Sequence, residues 1–257
     1  MARRLIDWNR RRESRRQVLL LDRLTRQFRG GLERELAAAM RDMVERWELV
    51  HFVEMPRGFV DRIQAIYAQM AEAAITAFGA RIMQQGKHAG LVLETKLDFA
   101  EIMRRRALKY IQQEAIRRRI QRVTETTRRQ IVNAVDSGYR EGQTLPEVAL
   151  SIRKIIPAIA RYRADAIART ETHGAANYGS NEAAIGLGLP IRREWLAAQD
   201  ERTRETHAAA DGQIVGPDDR FQVGDSFLAY PGDPAGDPEE VINCRCTLGY
   251  IVDDGIT

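Results

Sequence analysis

The sequence predicts an α+β fold: an elongated, mainly helical N-terminal part followed by a smaller α+β C-terminal domain with short strands. Proline placement is the first reason, because Pro56 is the only proline before Pro146 and seven of the eight lie from Pro146 onward; proline breaks helix interiors. Periodicity is the second, because apolar residues recur at three- and four-residue steps through most of the first 135 positions. Charge is the third. Residues 1–150 hold 29 Lys and Arg against 19 Asp and Glu, while 151–257 hold 11 against 17. A basic helical region, 1–143, and a C-terminal domain, 144–257, are expected to face different partners.

The elements follow in order. Leu19, Leu20, Leu21, Leu24, Phe28, Leu32, Leu36 and Met40 fall on one helical stripe and predict an amphipathic helix, interrupted at Gly30-Gly31. A second helix is predicted from about Arg57 to Met83, carried by Phe59, Ile63, Ile66, Met70, Ala74 and Phe78. A third runs from about Leu97 to Val135 and would be roughly 55–60 Å long at ~1.5 Å per residue. Thr144-Leu145-Pro146-Glu147 has the spacing of a capping box and starts a short helix. Arg161 to Ile185 is Ala-rich and helical, stopped by Gly186-Leu187-Gly188-Leu189-Pro190. A strand follows over Ile191–Ala197. Next come a short helix from Glu201 to Ala210 capped by Asp200, brief strands at 213–215 and 221–223, and a last strand near 245–252.

Composition excludes several classes. With 257 residues and 44% hydrophobic content the chain can bury a sizeable core. Nineteen glycines and eight prolines are too few for collagen or low-complexity sequence. No window reaches 18 apolar residues without a charge, and the first residues run into arginines rather than an apolar signal core, so a soluble intracellular protein is expected. There is no Walker-type phosphate loop and no dinucleotide fingerprint, which argues against an NTPase or a dehydrogenase.

Both cysteines of the chain sit in one tripeptide, Cys244-Arg245-Cys246. Two thiolates converging on a metal is one reading, since a tetrahedral zinc site takes four N, S or O ligands. The remaining ligands would come from His207, Asp200, His173 or Asp211. Small side chains packed in a core, a strained disulfide across one residue, and a nucleophile paired with His207 are the alternatives. His51 and His88 have no ligand-like neighbours. The clusters Arg3-Arg4, Arg10-Arg11-Arg12, Arg15-Arg16, Arg104-Arg105-Arg106, Arg117-Arg118-Arg119 and Arg128-Arg129 could neutralise phosphates along a helix. They could equally meet an acidic protein surface or be solvated helix faces.

Read together, Ala168-Arg169-Thr170-Glu171-Thr172-His173, Glu194-Trp195, Asp200-Glu201-Arg202-Thr203-Arg204 with His207, Asp211-Gly212, Phe221, Pro231-Gly232-Asp233-Pro234 and Asn243-Cys244-Arg245-Cys246 form an ordered series that resembles the phage Mu F-like minor head protein family. The resemblance covers about residues 145–252. It implies a low-copy structural protein of the virion of a tailed phage or prophage. Such a protein acts in head morphogenesis, DNA packaging and ejection, is associated with the portal and head interior, and is present in the host cytoplasm during assembly. The implied partners are the portal protein, the major capsid protein or scaffold, and packaged double-stranded DNA; the arginine clusters, outside the resembling stretch, offer Arg104, Arg105, Arg106, Arg117, Arg118 and Arg119 as the contacts, and no membrane and no small-molecule substrate are expected. Domains of this family also precede toxin modules, and none is expected after residue 257. No enzymatic activity is implied, and zinc at His207, Cys244, Cys246 and Asp200 is expected to rigidify the C-terminal domain. The alternative is a cysteine- or metal-dependent hydrolase acting during assembly or entry, which requires His207 and a cysteine within hydrogen-bond reach beside an open cleft.

Overall fold

The computed structural model describes residues 3–4, 10–90 and 98–252, with side chains from residue 16 onward. The arginines at 3, 4, 10–12 and 15 therefore lie outside the described side chains. The α+β class holds: five long helices lead into short antiparallel strands.

Helix α1 (Arg10–Val50) runs without a break through Gly30-Gly31, where an interruption is expected from the sequence. Each glycine costs roughly 1 kcal/mol against alanine in a helix. Burial of Leu32, Leu36, Met40, Met43 and Trp47 on one stripe outweighs that cost, at about 1.5–3 kcal/mol for each large side chain. Helix α2 spans Phe59–His88. The single third helix of the sequence reading is instead two, α3 (Phe99–Ile111) and α4 (Glu114–Arg140). The backbone N–H of Gln112 still reaches Leu108, but that of Gln113 reaches Tyr110, so the last turn tightens and the helix ends.

Helix α5 (Leu145–Ile185) joins what the sequence suggests as two helices. It passes through Pro157, whose ring removes one backbone hydrogen bond at a cost of about 3 kcal/mol. The buried stripe of Ile152, Ile156, Ala160 and Ala164 continues in phase across the proline and holds the helix together. At its start, Glu147 Oε2 accepts from the Thr144 backbone N–H at 2.8 Å and from the Thr144 hydroxyl at 2.6 Å. Glu147 thus reaches back as a capping box requires.

The remaining elements are short. Strands β1 (Arg3–Arg4), β2 (Ile191–Leu196), β3 (Ile214–Val215) and β6 (Thr247–Val252) form one sheet in the order β1-β6-β2-β3. All pairings are antiparallel, with Trp195 opposite Leu248 and Arg3 opposite Val252. Strands β4 (Phe221–Val223) and β5 (Ser226–Leu228) make a separate hairpin. Two short helices, α6 (Glu205–Ala209) and α7 (Pro238–Val241), lie in the connections.

Contacts divide the chain into two compact units, one of Met1–Thr25, Ala68–Gln113 and Arg169–Thr257 and the other of Arg26–Tyr67 and Glu114–Ala168. The sequence boundary at 143/144 falls in the turn joining α4 to α5, and each unit draws chain from both sides of it. The second unit is all helical, its core made of the α1 stripe, Phe59, Ile63 and Tyr67 of α2, Ile116, Ile120, Ile131 and Val135 of α4, and the first half of α5. The first unit holds the strands and the small-residue half of α5. There, a Cβ on Gly179 would stand 2.6 Å from the Ile75 Cα, so the backbones of α5 and α2 approach closely only because glycine is present. No helix among the described residues is long and apolar enough to cross a membrane.

Candidate metal centre

His207, Cys244 and Cys246 come together, each offering a ligand atom within 4.8 Å of the others. All three side chains are buried and both cysteines are free thiols, so the disulfide reading is absent from this structure. His207 sits on α6. Its Nδ1 faces both sulfurs, 3.3 Å from Cys246 Sγ and 3.7 Å from Cys244 Sγ. Its Nε2 lies 2.9 Å from Glu240 Oε2, and Trp195 meets the imidazole edge-on at 5.8 Å. Glu240, supplied by α7, also accepts from the Thr206 hydroxyl at 2.9 Å.

The cysteine loop is fixed from α5. Asn243 adopts a left-handed φ of 58°, a conformation asparagine tolerates better than most residues. Its backbone N–H donates to Thr170 Oγ1 at 3.0 Å, and Arg169 donates to its Oδ1 at 3.2 Å. Beyond the turn, Asn177 Nδ2 donates to the Cys246 carbonyl at 3.2 Å and to the Pro231 carbonyl at 3.0 Å, while His173 Nε2 lies 2.6 Å from the Cys246 carbonyl. The resembling blocks along the sequence therefore build one place in space.

Burial shapes the ionisation. It pushes the Cys244 thiol well up, whereas the Cys246 thiol is brought down, chiefly by its hydrogen bond with Cys244 and then by His207. Burial also holds His173 down to about 4, neutral near pH 7.

The other expected ligands do not join. Asp200 is a correction on two counts. Its carboxylate pairs with the Arg245 guanidinium, which holds it below the usual carboxylate range, and the cluster of His207, Cys244 and Cys246 does not include it. It also caps a turn rather than α6: it accepts from the Arg202 N–H at 3.0 Å, and α6 begins at Glu205 behind Arg204, which has no side-chain cap bond. Asp211 accepts from the Ala197 N–H and from Gln199, and His173 is committed to the Cys246 carbonyl. Glu240 escaped the sequence reading, although Asp237-Pro238-Glu239-Glu240 carries proline and acids in a first turn, a helix-start signal.

The hydrolase alternative meets its first requirement, and beside it stands only a small space. His207 and Cys246 are within reach, but the space beside them, lined by Ala198, Arg202, Thr203, Arg204, Asn243 and Arg245, is a cavity of about 10 Å³, about one water in size. Of the arginines expected to meet DNA, Arg104 and Arg105 pair with Glu101 at 3.6 and 2.9 Å. Arg106 pairs with Glu182 and Arg118 with Glu114.

Residues 126–249 match the family described as Phage Mu protein F like protein. Over this stretch, just under half of the chain, it is similar to the Mu F-like family. Among individual relatives, the minor head protein GP7 of Bacillus phage SPP1 is 30% identical over 144 residues, 52% of this chain and 46% of that protein. The NAD(+)--arginine ADP-ribosyltransferase EFV of Enterococcus faecalis is 32% identical over 139 residues, 53% of this chain and 28% of its own length. The uncharacterized protein YqbB of Bacillus subtilis is 28% identical over 130 residues, 49% of this chain and 41% of its own. The chain thus spans less than half the length of each of these relatives. No solved structure matches it significantly.

Proposed function

We propose that the chain acts in head morphogenesis of a tailed phage or prophage, as a low-copy minor head protein associated with the portal and the head interior. The observation that carries this reading is the convergence of Arg169, Thr170, His173, His207 and the Asn243–Cys246 loop on one buried site within the Mu F-like stretch. The name borne by the phage SPP1 relative supports it. The small space beside the site, about 10 Å³, fits a structural rather than an enzymatic role. Zinc held by His207 and the two cysteines would tie α6 to the cysteine loop. Arg104, Arg105, Arg106, Arg117, Arg118 and Arg119 serve as contacts to packaged double-stranded DNA or to an acidic surface of the portal, capsid or scaffold. The protein resides in the virion, after assembly in the host cytoplasm, and takes no small-molecule substrate.

Co-purification with the portal protein of the same genome tests the reading. Capture of the portal, with the chain present in purified heads, is expected; heads that assemble and fill normally without the chain, together with no portal capture, overturn it. The second reading, a hydrolase, draws on the line of Cys246, His207 and Glu240. Irreversible loss of a measured hydrolytic activity on alkylating Cys246 would favour it.

A further inference from the structure

We propose that His207, Cys244 and Cys246 are the complete set of protein ligands for one zinc ion, that Glu240 orients His207 from behind, and that the fourth position is held by a single water. This deepens the zinc part of the proposed function and does not depend on the head-assembly part.

The geometry fits a tetrahedral ion. Glu240 Oε2 at 2.9 Å from Nε2 takes that nitrogen's proton in hydrogen bonding, which leaves Nδ1 with one lone pair. That lone pair faces two sulfurs, at 3.3 and 3.7 Å, which also hydrogen-bond to each other. A tetrahedral ion serves both. With Zn–N near 2.0 Å and Zn–S near 2.3 Å, the N-to-S edge of a tetrahedron is about 3.5 Å, and the two observed distances bracket it. A carboxylate on the far nitrogen of a ligating histidine is the arrangement that fixes its tautomer and ring plane. Thr206, donating to the same carboxylate oxygen, fixes the carboxylate in turn.

The fourth position follows from what surrounds the donors. The space of about 10 Å³ has room for a water. Its polar walls are Arg202, Thr203, Arg204, Asn243 and Arg245. None is a carboxylate, and Asp200 is occupied by Arg245.

The test is metal analysis of the intact chain, purified without chelator and supplied with zinc, alongside cobalt substitution. About one zinc per chain is expected, with a near-ultraviolet thiolate-to-cobalt band and intense tetrahedral visible bands on the cobalt form. Asp200→Asn should keep the metal in full. Glu240→Gln should keep it with about 10- to 100-fold weaker affinity, and Cys246→Ser should lose it. A folded chain that takes up no zinc and shows no thiolate–cobalt band overturns the proposal. Loss of the metal in a folded Asp200→Asn variant overturns the water at the fourth position. Because these readouts need no portal, a zinc-loaded chain that fails to capture the portal counts against the head reading alone.

Discussion

Gly174 of α5 and Gly232 of the following Pro-Gly turn meet backbone to backbone: a Cβ on Gly174 would stand 2.7 Å from the Gly232 carbonyl oxygen, and one on Gly232 would stand 2.9 Å from the Gly174 Cα. Neither neighbour is a flexible side chain that could move aside. The same turn offers the Pro231 carbonyl to Asn177, which also holds Cys246, so the contact sets how closely the cysteine loop sits on α5.

Gly174→Ala is therefore expected to destabilise the chain by about 1–3 kcal/mol, the usual cost of overpacking, or roughly 2–4 °C in Tm per kcal/mol for a chain of this size. Gly232→Ala should cost more, because its φ of +82° adds backbone strain. Thermal unfolding followed by circular dichroism checks both. An unshifted melt for Gly174→Ala would show that the two segments separate freely.

Arg193 is a buried cation whose role is to collect carbonyls. It donates to Gly216 and Ala229 at 2.9 and 2.7 Å, to Asp219, and to the Asn181 side chain at 3.2 Å, and it lies over the Phe221 ring. Lysine has one point of donation where arginine has a fork. Arg193→Lys should lower stability by about 3 kcal/mol, in the range for breaking a buried charged network. Faster amide hydrogen exchange at 214–228 than at 191–196 would locate the loss in the connecting loops.

Pro157 sits exposed on α5, with a buried stripe to either side of it. Restoring the missing backbone donor should help, so Pro157→Ala is expected to raise Tm, by an amount bounded by the roughly 3 kcal/mol cost of an interior proline. A lower Tm would mean the helix depends on the bend that proline imposes.

Asp200 titrates below its usual value because Arg245 bonds to its ionised form. Its folded pKa lies below its unfolded one, so its contribution to stability is full above about 4 and is lost as pH falls through the lower folded value. Asp200 itself is exposed to solvent, which keeps that contribution to roughly 1 kcal/mol or less. Carbon-13 NMR of the Asp200 carboxyl in the protein and in Arg245→Gln should show the pKa rising in the variant; an unchanged value would remove Arg245 as its cause.

The helices were legible wherever apolar spacing carried through, as in the Leu32–Met40 stripe of α1. Their ends were less so. The break at Gln112-Gln113 has no glycine or proline to announce it; it separates the stripe containing Met103 and Tyr110 from the one containing Ile116 and Ile120, each serving a different unit. The separate helices expected from Thr144 and from Arg161 err in the opposite direction, since burial carries α5 through Pro157. Of the site, Cys244, Cys246 and His207 could be read directly because only two cysteines exist and one histidine stands among charged residues. Glu240 could not, because 33 residues separate it from His207 and only the folded α6 and α7 bring them together. Asp200 was drawn to Arg245, a cation that lies between the two cysteines and competes with any metal for the carboxylate.

The interleaving of the two units orders their birth on the ribosome. The all-helical unit is complete once Ala168 has emerged, and its contacts join α1, α2, α4 and α5 without any later residue. The other must wait for β6, which pairs with β2 and, almost the whole chain away, with β1. Its stretches 1–25 and 68–113 are made early and stay without their sheet until the last residues arrive, the situation in which chaperones are most needed. A chain cut short before Thr247 should accordingly leave α3 and the ends of α1 and α2 exposed to protease, while residues 26–67 and 114–168 stay protected.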